Sequence, residues 1–416
     1  MTSPVKVRTT CRLCGSSELE LTVPLASVPI ISPNVGHGEK DSAQSVVAPL
    51  DNYLCNNCGL IQLIHVVDPA LIYRNYLYRT SISLGLSDHF RGLAEAVIDR
   101  QNIAPSDLIV EIGSNDGTLL SFFDEHGAIV QGVDPAEGIA EEATARGIPT
   151  RADFFTDSLA KQIVVKRGKA RAVLCNNAMA NIDELGEVLS GVRTLLAPDG
   201  AFVFETQYAY DVFEKTLIDV IYHEHISCFS VLPVTIGLKE FGLEVFDVER
   251  IPTKGGSIRF WVKLTDGPQN VSPRVAELIS MEKASGLYSR DRHKQFADKV
   301  AEIKAGLHKA IAETQQAGGS IAAFGTSVGC AALIHQFELE DKLDYLLDDT
   351  PFKTSLSGPG YDLPVYLGAE TVNKMPGLIL ILAWRYADKI VERQTSYLAK
   401  GGKFIVPLPN VEMISQ

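Results

Sequence analysis

Three groups of residues in this chain have the types and spacing that chemistry requires. The first is a cysteine quartet. Of the seven cysteines, four form two Cys-x-x-Cys pairs, Cys11/Cys14 and Cys55/Cys58, with forty residues between Cys14 and Cys55. Each pair sets two thiolates on one tight turn, and two such knuckles supply four sulfur ligands at tetrahedral geometry, as for a structural Zn2+. Gly15 and Gly59 directly follow the second cysteine of each pair, where a residue without Cβ lets the chain turn back and aim amides at sulfur. Protein fills all four positions, which argues against an open, catalytic metal. The second group is the glycine loop Glu111-Ile112-Gly113-Ser114-Asn115-Asp116-Gly117. Asp134 stands 21 residues beyond Gly113 at the end of the next predicted strand, where a carboxylate accepts both ribose hydroxyls of a nucleoside. Dinucleotide sites usually carry Gly-x-Gly-x-x-Gly, whereas this loop is acidic. It suits the positive sulfonium and amino-acid tail of S-adenosylmethionine better than a pyrophosphate. Pro135, Asn176 and the pair Asp153-Phe154, which reads either as an adenine contact or as an ordinary loop pair, complete the candidate cofactor residues.

The third group is Tyr222-His223-Glu224-His225, preceded by Asp219 and followed by Ser227. Two imidazoles, a carboxylate and a phenol within four residues form a dense acid/base set. On an extended chain, Tyr222 and Glu224 face one way and the two histidines the other. A metal needs a further ligand, so His-x-His alone does not specify one. Tyr73, Tyr76, Tyr78 and Arg79 cluster where the cysteine-bearing segment ends, and suit either a substrate mouth or an apolar seam. Near the C-terminus, Gly325-Thr326-Ser327 opens a helix after a strand, as anion-binding helix N-termini do. Asp348-Asp349-Thr350-Pro351-Phe352-Lys353 ends the following strand.

These groups need sheets to position them. Residues 1–70 are broken by Pro24, Pro29, Pro33 and Gly36 and need the cysteine staple. The spacing of Leu84, Leu86, Phe90, Leu93 and Val97 predicts a helix over 83–101. Strand Asp107–Ile112, helix Gly117–His126, strand Ile129–Asp134, helix Glu137–Arg146, strand Ala172–Cys175, helix 183–196 and strand Ala201–Glu205 follow. Such alternation means a parallel, doubly wound sheet. Leu243–Arg250 and Ser257–Leu264 read as an antiparallel pair closing its edge, and 270–316 as a polar helical connector. A second α/β pattern runs through strand Ser320–Phe324, helix 327–337, strand Tyr345–Asp348, a strand within 377–383, helix Ala387–Ala399 and strand Lys403–Leu408. The expected class is α/β, with a zinc-binding module over 1–75, a Rossmann-like sheet over 76–269, a connector over 270–316 and a second Rossmann-like domain over 317–416.

Bulk properties agree. A chain of 416 residues, 46% hydrophobic and 21% charged, suits two or three ordinary domains. Its net charge of −13 disfavours binding along a nucleic-acid backbone. Apolar runs such as Gly377–Trp384 fall short of the roughly 20 residues that span a bilayer, and MTSPVKVRTTC lacks the apolar core of a signal peptide. The expectation is a cytoplasmic monomer whose partner is a small molecule, with neither nucleic acid nor membrane involved.

With these residues in hand, the chain resembles the zinc-containing, S-adenosylmethionine-dependent sugar C-methyltransferases of deoxysugar biosynthesis. The likeness is collinear: the Cys-x-x-Cys pairs, Val110-Glu111-Ile112-Gly113-x-Asn115-Asp116-Gly117, Asp153-Phe154-Phe155, Leu196-Ala197-Pro198-Asp199-Gly200, Glu224-His225, Gly255-Gly256 and Asp349-Thr350-Pro351. It implies a class I methyltransferase sheet at the centre and a nucleotide-binding Rossmann-like domain at the C-terminus. It also implies a reaction in which a nucleotide-linked 4-keto sugar loses its C3 proton and the enolate takes a methyl group. The resemblance assigns the base to His225, neutral and near its ordinary titration range, with Tyr222, Glu224 and Tyr76 close to the sugar. Tyr78, Arg79, His223, Gly325, Thr326, Ser327, Asp349, Lys353 and Arg385 are the expected substrate contacts. Three positions depart from the family pattern: Asn181 stands where relatives often carry histidine, Gly329 where they carry lysine, and Arg385 where they often carry asparagine. Asn181 can still orient an oxyanion, and Arg385 can contact phosphate in place of the lost lysine. The alternatives are a methyltransferase for another carbon, oxygen or nitrogen acceptor, and a zinc-stapled binding protein with an inactive cofactor fold.

Overall fold

Strand Leu108–Ile112 is buried at every position, which only a strand with helices on both faces can sustain. In the computed structural model, which describes residues 4–30, 35–36, 46–74, 76, 79–82, 85–358 and 360–416, it lies within a seven-stranded sheet. The order is Thr150–Ala152, Ile129–Asp134, Leu108–Ile112, Ala170–Asn176, Leu196–Gln207, Ser257–Leu264 and Leu243–Ile251. The first five strands run parallel, and Ser257–Leu264 is antiparallel to both neighbours. The two late strands therefore pair as expected, with Leu243–Ile251 at the edge. Alternate residues serve opposite faces: Ile109, Leu174 and Val203 pack with Phe90, Leu93, Val97 and Leu120, and Val110, Val173 and Phe202 with Leu159, Ile163, Val188 and Val192.

The helix predicted from residue 83 spans Leu86–Gln101. Two helices carry no clear sequence signal. Asp157–Arg167 buries Leu159, Ala160 and Ile163 but leaves Val165 in solvent, which blurs its amphipathic period. Val231–Lys239 is apolar on most sides and contains Pro233 and Gly237, so it does not read as a helix.

The N-terminal segment holds short strands. Leu19–Val23, Asn52–Cys55 and Ile61–Leu63 form one sheet, completed by Ser227–Cys228 from far along the chain. At the other end, Val365–Leu367, Tyr345–Asp348, Ile321–Phe324, Leu378–Ile381, Phe404–Val406 and Glu412–Ile414 make a six-stranded sheet, antiparallel only at its last member. No helix among the described residues is long and apolar enough to cross a membrane.

Residues 270–316 are helical as expected, but they are more than a polar connector. Helix Arg290–Gln316 buries His293, Phe296, Val300, Ile303, Leu307 and Ile311, a stripe at heptad-like spacing. That stripe joins a core with Leu54 and Leu63 on one side and Ile321, Leu346 and Leu380 on the other. The preceding helix, Pro273–Ala284, carries the fully buried Glu282. Its carboxylate accepts hydrogen bonds from the Val231 and Leu232 amides at 2.6 and 3.0 Å and from the Tyr208 and Tyr288 hydroxyls at 2.8 and 2.5 Å. It thus caps helix Val231–Lys239 from outside that helix. Replacing Glu282 by alanine strands the buried Val231 amide and Tyr208 hydroxyl and leaves the half-buried Leu232 amide to solvent, and we expect a loss on the order of 3 kcal/mol, readable as a lowered urea midpoint.

Candidate active site and metal centre

The sulfur atoms of Cys11, Cys14, Cys55 and Cys58 all lie within 4.8 Å of one another. Cys11 and Cys58 are 3.7 Å apart and Cys14 and Cys55 3.6 Å, close to the roughly 3.8 Å edge of a tetrahedron with metal–sulfur bonds of about 2.3 Å. The two knuckles repeat one geometry: the Gly15 amide donates to the Cys11 carbonyl and the Gly59 amide to that of Cys55. Both glycines adopt positive φ, 70° and 88°. The donor set fits Zn2+ and leaves no open position.

Between the first two cysteines sits Arg12, whose guanidinium is buried. It donates to the carbonyls of Ile226 at 2.6 Å and Leu63 at 2.7 Å and to Gln62 Oε1 at 3.3 Å, and it pairs with Asp183 at 3.4 Å. Burial pulls its pKa down to about 10, which leaves it charged. The metal knuckle therefore grips the strand that follows the Tyr222–His225 segment.

That segment is a turn, closed by the His225 amide donating to the Tyr222 carbonyl at 2.9 Å. The turn overturns the alternation expected of an extended chain. Tyr222 and His225 now meet, ring centroids 4.2 Å apart, with the Tyr222 hydroxyl 3.1 Å from His225 Nε2. His223 points away into the N-terminal segment, Nε2 3.0 Å from the Ala48 carbonyl, and is buried. Burial lowers it to about 4, so His223 is a neutral structural residue and not the substrate contact expected.

His225 Nδ1 lies 2.8 Å from the Val220 carbonyl. A carbonyl only accepts, so Nδ1 carries the proton and Nε2 keeps its lone pair. Gln207 Nε2 is 3.2 Å from that Nε2. Burial, with Lys254 adding a smaller effect, pushes His225 down to about 3, well below the ordinary range that the resemblance implies. Glu224 moves the other way, raised to about 7 by burial against the opposing effects of Tyr76 and Lys254. The Tyr76 hydroxyl donates to Glu224 Oε2 at 3.1 Å, Tyr73 donates to the Glu224 carbonyl at 3.4 Å, and Glu224 Oε1 is buried without a partner. Asn181 Oδ1 is likewise buried without a partner.

The glycine loop stands at the carboxyl end of strand Leu108–Ile112. Gly113, Asn115 and Gly117 have φ of 71°, 47° and 76°, and a Cβ at Gly113 would come 2.8 Å from that of Ala178. Asp134 accepts the amides of Asn115 and Ala136 at 2.8 and 2.9 Å. These bonds aim the carboxylate and still leave acceptor capacity on both oxygens. Around it Glu111 Oε2, Ser114 Oγ and both amide atoms of Asn176 are buried without partners. Burial, then Asp134 and Asp116, raise the Glu111 carboxyl well above its usual range. Orphaned donors and acceptors around an acidic cradle fit the ribose, sulfonium and amino-acid groups of S-adenosylmethionine. Pro135 follows Asp134 in the same turn. Asp153 is exposed and spends Oδ1 on the Phe154 amide at 2.9 Å, while Phe154 is half-buried.

Three matches with known families cover most of the chain. Residues 11–73 match a zinc binding domain, 88–248 a methyltransferase domain and 252–409 the C-methyltransferase C-terminal domain. The chain is 32% identical over 406 residues to C-methyltransferase NovU of Streptomyces niveus, spanning 97% of this chain and 96% of that one. It belongs to the C-methyltransferase family. Among solved structures, magnesium protoporphyrin IX methyltransferase of Synechocystis PCC 6803 with bound S-adenosylmethionine aligns with 43% of the chain and 80% of its own, at 16% identity and a TM-score of 0.33. An S-adenosylmethionine-dependent methyltransferase of Clostridium acetobutylicum ATCC 824 aligns with 43% and 92%, at 15% identity and a TM-score of 0.35.

This S-adenosylmethionine-dependent C-methyltransferase distributes the remaining expected residues unevenly. Tyr78 lies outside the described residues. Arg79 is held bidentately by Glu142, at 2.8 and 2.5 Å, on the helix beyond Asp134, so it stands beside the cofactor loop and not beside His225. In the C-terminal sheet, the Thr326 amide and hydroxyl donate to Asp348 at 3.2 and 2.5 Å, and Lys353 pairs with the same carboxylate at 3.1 Å. Ser327 caps helix Val328–Gln336, and Gly325 has φ of 115°. Asp349 is bound by Arg393 at 2.9 Å on the surface. Arg385 is not free for phosphate alone: both its terminal nitrogens reach Asp219, which also accepts from Trp384 Nε1 at 3.1 Å. Gly329 leaves room for this, since a Cβ there would lie 3.1 Å from the Asp219 carbonyl. No sequence signal marks Arg12, Gln207 or Lys254, which lie far from the acid/base cluster along the chain; Asp219, beside that cluster in sequence, is the partner of Arg385.

Two outcomes follow from this geometry. Metal analysis should find one zinc per chain, and Cys55→Ser should lower both the zinc content and the melting temperature. Asp134→Ala should weaken S-adenosylmethionine binding on the order of 10- to 100-fold by calorimetry, as charge-assisted hydrogen bonds worth about 1.5–3 kcal/mol are lost.

Proposed function

We propose that this enzyme methylates the carbon next to the ketone of a nucleotide-linked keto-deoxysugar. The observation that carries the reading is the pairing of a neutral histidine, its lone pair fixed by the Val220 carbonyl, with a buried carboxylate that titrates near neutrality. Bound S-adenosylmethionine supplies an electrophilic methyl group. Glu111, Gly113, Asn115, Gly117, Asp134, Pro135, Asp153, Phe154 and Asn176 hold it at the carboxyl ends of the central strands. His225 Nε2 takes the proton from carbon, and the C–H electron pair moves onto the carbonyl oxygen. Burial makes a lone imidazolium costly, so proton transfer needs a nearby negative charge, which the enolate and Glu224 provide. Tyr222, Tyr76 and Asn181 orient the sugar. The nucleotide lies against the second Rossmann-like domain, residues 317–416, along Gly325, Thr326, Ser327, Lys353 and Arg385.

The test is incubation with S-adenosylmethionine and a panel of nucleoside-diphosphate 4-keto-6-deoxyhexoses, with mass detection of the added methyl group. His225→Ala should reduce transfer on the order of 10²–10⁴-fold, the range of general-base catalysis; undiminished transfer removes His225 as the base. With Glu224 required as the anion, wild-type activity should fall as pH drops through about 7, and Glu224→Gln should abolish that limb while lowering the plateau.

A further inference from the structure

Proton transfer from carbon to His225 turns two neutral groups into a pair of charges inside a crowded cleft. Such a step is fast when counter-charges already stand in place. Glu224 is one. The other must be a cation facing the carbonyl oxygen, and most cations around the cleft are committed. Arg259 binds Glu205 at 3.0 Å and Glu249 at 3.3 Å, Arg250 binds Asp211 at 2.7 Å, Lys215 binds Asp211 at 3.0 Å, and Arg385 binds Asp219. Lys254 has no hydrogen-bonded or ion-paired side-chain partner among the described residues, and its side chain keeps access to solvent from within a cleft crowded enough to desolvate the ammonium.

Its backbone is held in the left-handed region, φ 53° and ψ 24°, which lysine adopts only when its surroundings force it. Those surroundings are visible. Thr253 Oγ1 donates to Glu205 at 3.1 Å, Ser257 Oγ and the Gly256 amide close on the Thr253 carbonyl, and Lys215 grips the Gly255 carbonyl at 2.7 Å. A Cβ on Gly255 would lie 3.1 Å from Arg385 Nε and 3.2 Å from Leu217, so the loop abuts both the C-terminal domain and the segment leading to Tyr222. The ionisable groups that act on the ammonium are Glu205 from the central sheet, Glu224 and His225 from the catalytic turn, and Arg385 from the C-terminal domain. Glu205 is already matched by Arg259 and by His89 at 2.8 Å.

We propose that Lys254 is a catalytic residue whose ammonium binds the enolate oxygen formed when His225 removes the proton. The inference rests on the enolate reading above. The C–H bond breaks, its electron pair ends on the oxygen beside Lys254, and the proton ends on Nε2 of His225 beside Glu224. Lys254 stays protonated throughout. Methyl transfer then uses the enolate's carbon–carbon π pair for the new bond, the oxygen pair re-forming the ketone, while the methyl–sulfur bond breaks and its electron pair stays on the sulfur of the departing thioether. The proton on His225 is released to solvent with the product.

The experiment follows deuterium uptake from D2O at the carbon next to the ketone, alongside steady-state methyl transfer, using the same 4-keto-6-deoxyhexose panel. Lys254→Met should slow exchange and kcat on the order of 10²-fold or more, the usual effect of losing one oxyanion donor. KM should change little, and S-adenosylmethionine binding by calorimetry should be unchanged, which reports an intact fold. Burial lowers the Lys254 ammonium to about 8, so wild-type kcat should fall as pH rises through about 8. Lys254→Arg should recover part of the rate and remove that alkaline limb. Exchange and kcat in Lys254→Met within threefold of wild type, or a loss confined to KM, overturns the assignment. A wild type that neither exchanges nor methylates any member of the panel overturns the enolate reading and this one together.

Discussion

The constraint on which the candidate site depends is a strand of two residues. Ser227–Cys228 leaves the methyltransferase sheet's territory to pair with Ile61–Gln62 of the zinc-bearing sheet, and Arg12 locks the junction from inside the metal knuckle. A turn such as Tyr222–His225 has little stability of its own, because four residues cannot offset the entropy of fixing their backbone. Its shape is borrowed from both sides: Val220 and Gln207 on the methyltransferase side, Ala48 and Arg12 on the other. The four-cysteine centre takes no part in the turn itself, yet it holds the frame in which Tyr222 and His225 meet.

Burial then gives the framed groups unlike tasks. The same loss of solvent that keeps His225 neutral holds Glu224 near its midpoint and leaves Glu111 resisting ionisation. None of these shifts needs an unusual residue. They come from placing ordinary ones where three parts of the chain close over them, with tyrosine hydroxyls in place of water.

Much of this was legible in the sequence because it is local. The cysteine pairs, the glycine loop with Asp134, the strand and helix alternation and the acid/base run all lie within short windows, and their elements formed near the expected residues. What was not legible depends on contacts far along the chain. A single turn separates His223 from His225 and brings Tyr222 onto His225, whereas extended-chain alternation puts the two histidines on one side. Arg12 reaches Ile226, and Arg385 reaches Asp219, only once the parts are assembled. Helix Val231–Lys239 owes its capping to Glu282, some fifty residues later, so nothing in its own sequence announces it.

The core built around helix Arg290–Gln316 has a consequence of another kind. Phe296, Ile303, Leu307 and Ile311 are shared between the sheet that carries the cysteines and the sheet that ends the chain, and a further strand pair, Val35–Gly36 with Leu356–Ser357, links the same two regions. Three segments with separate sequence signatures thus share one apolar core. A recombination event that imported a different C-terminal segment would have to match the helix stripe and the N-terminal sheet at once. The surface residues of any one segment can drift singly, whereas the apolar residues that join the three must change in concert.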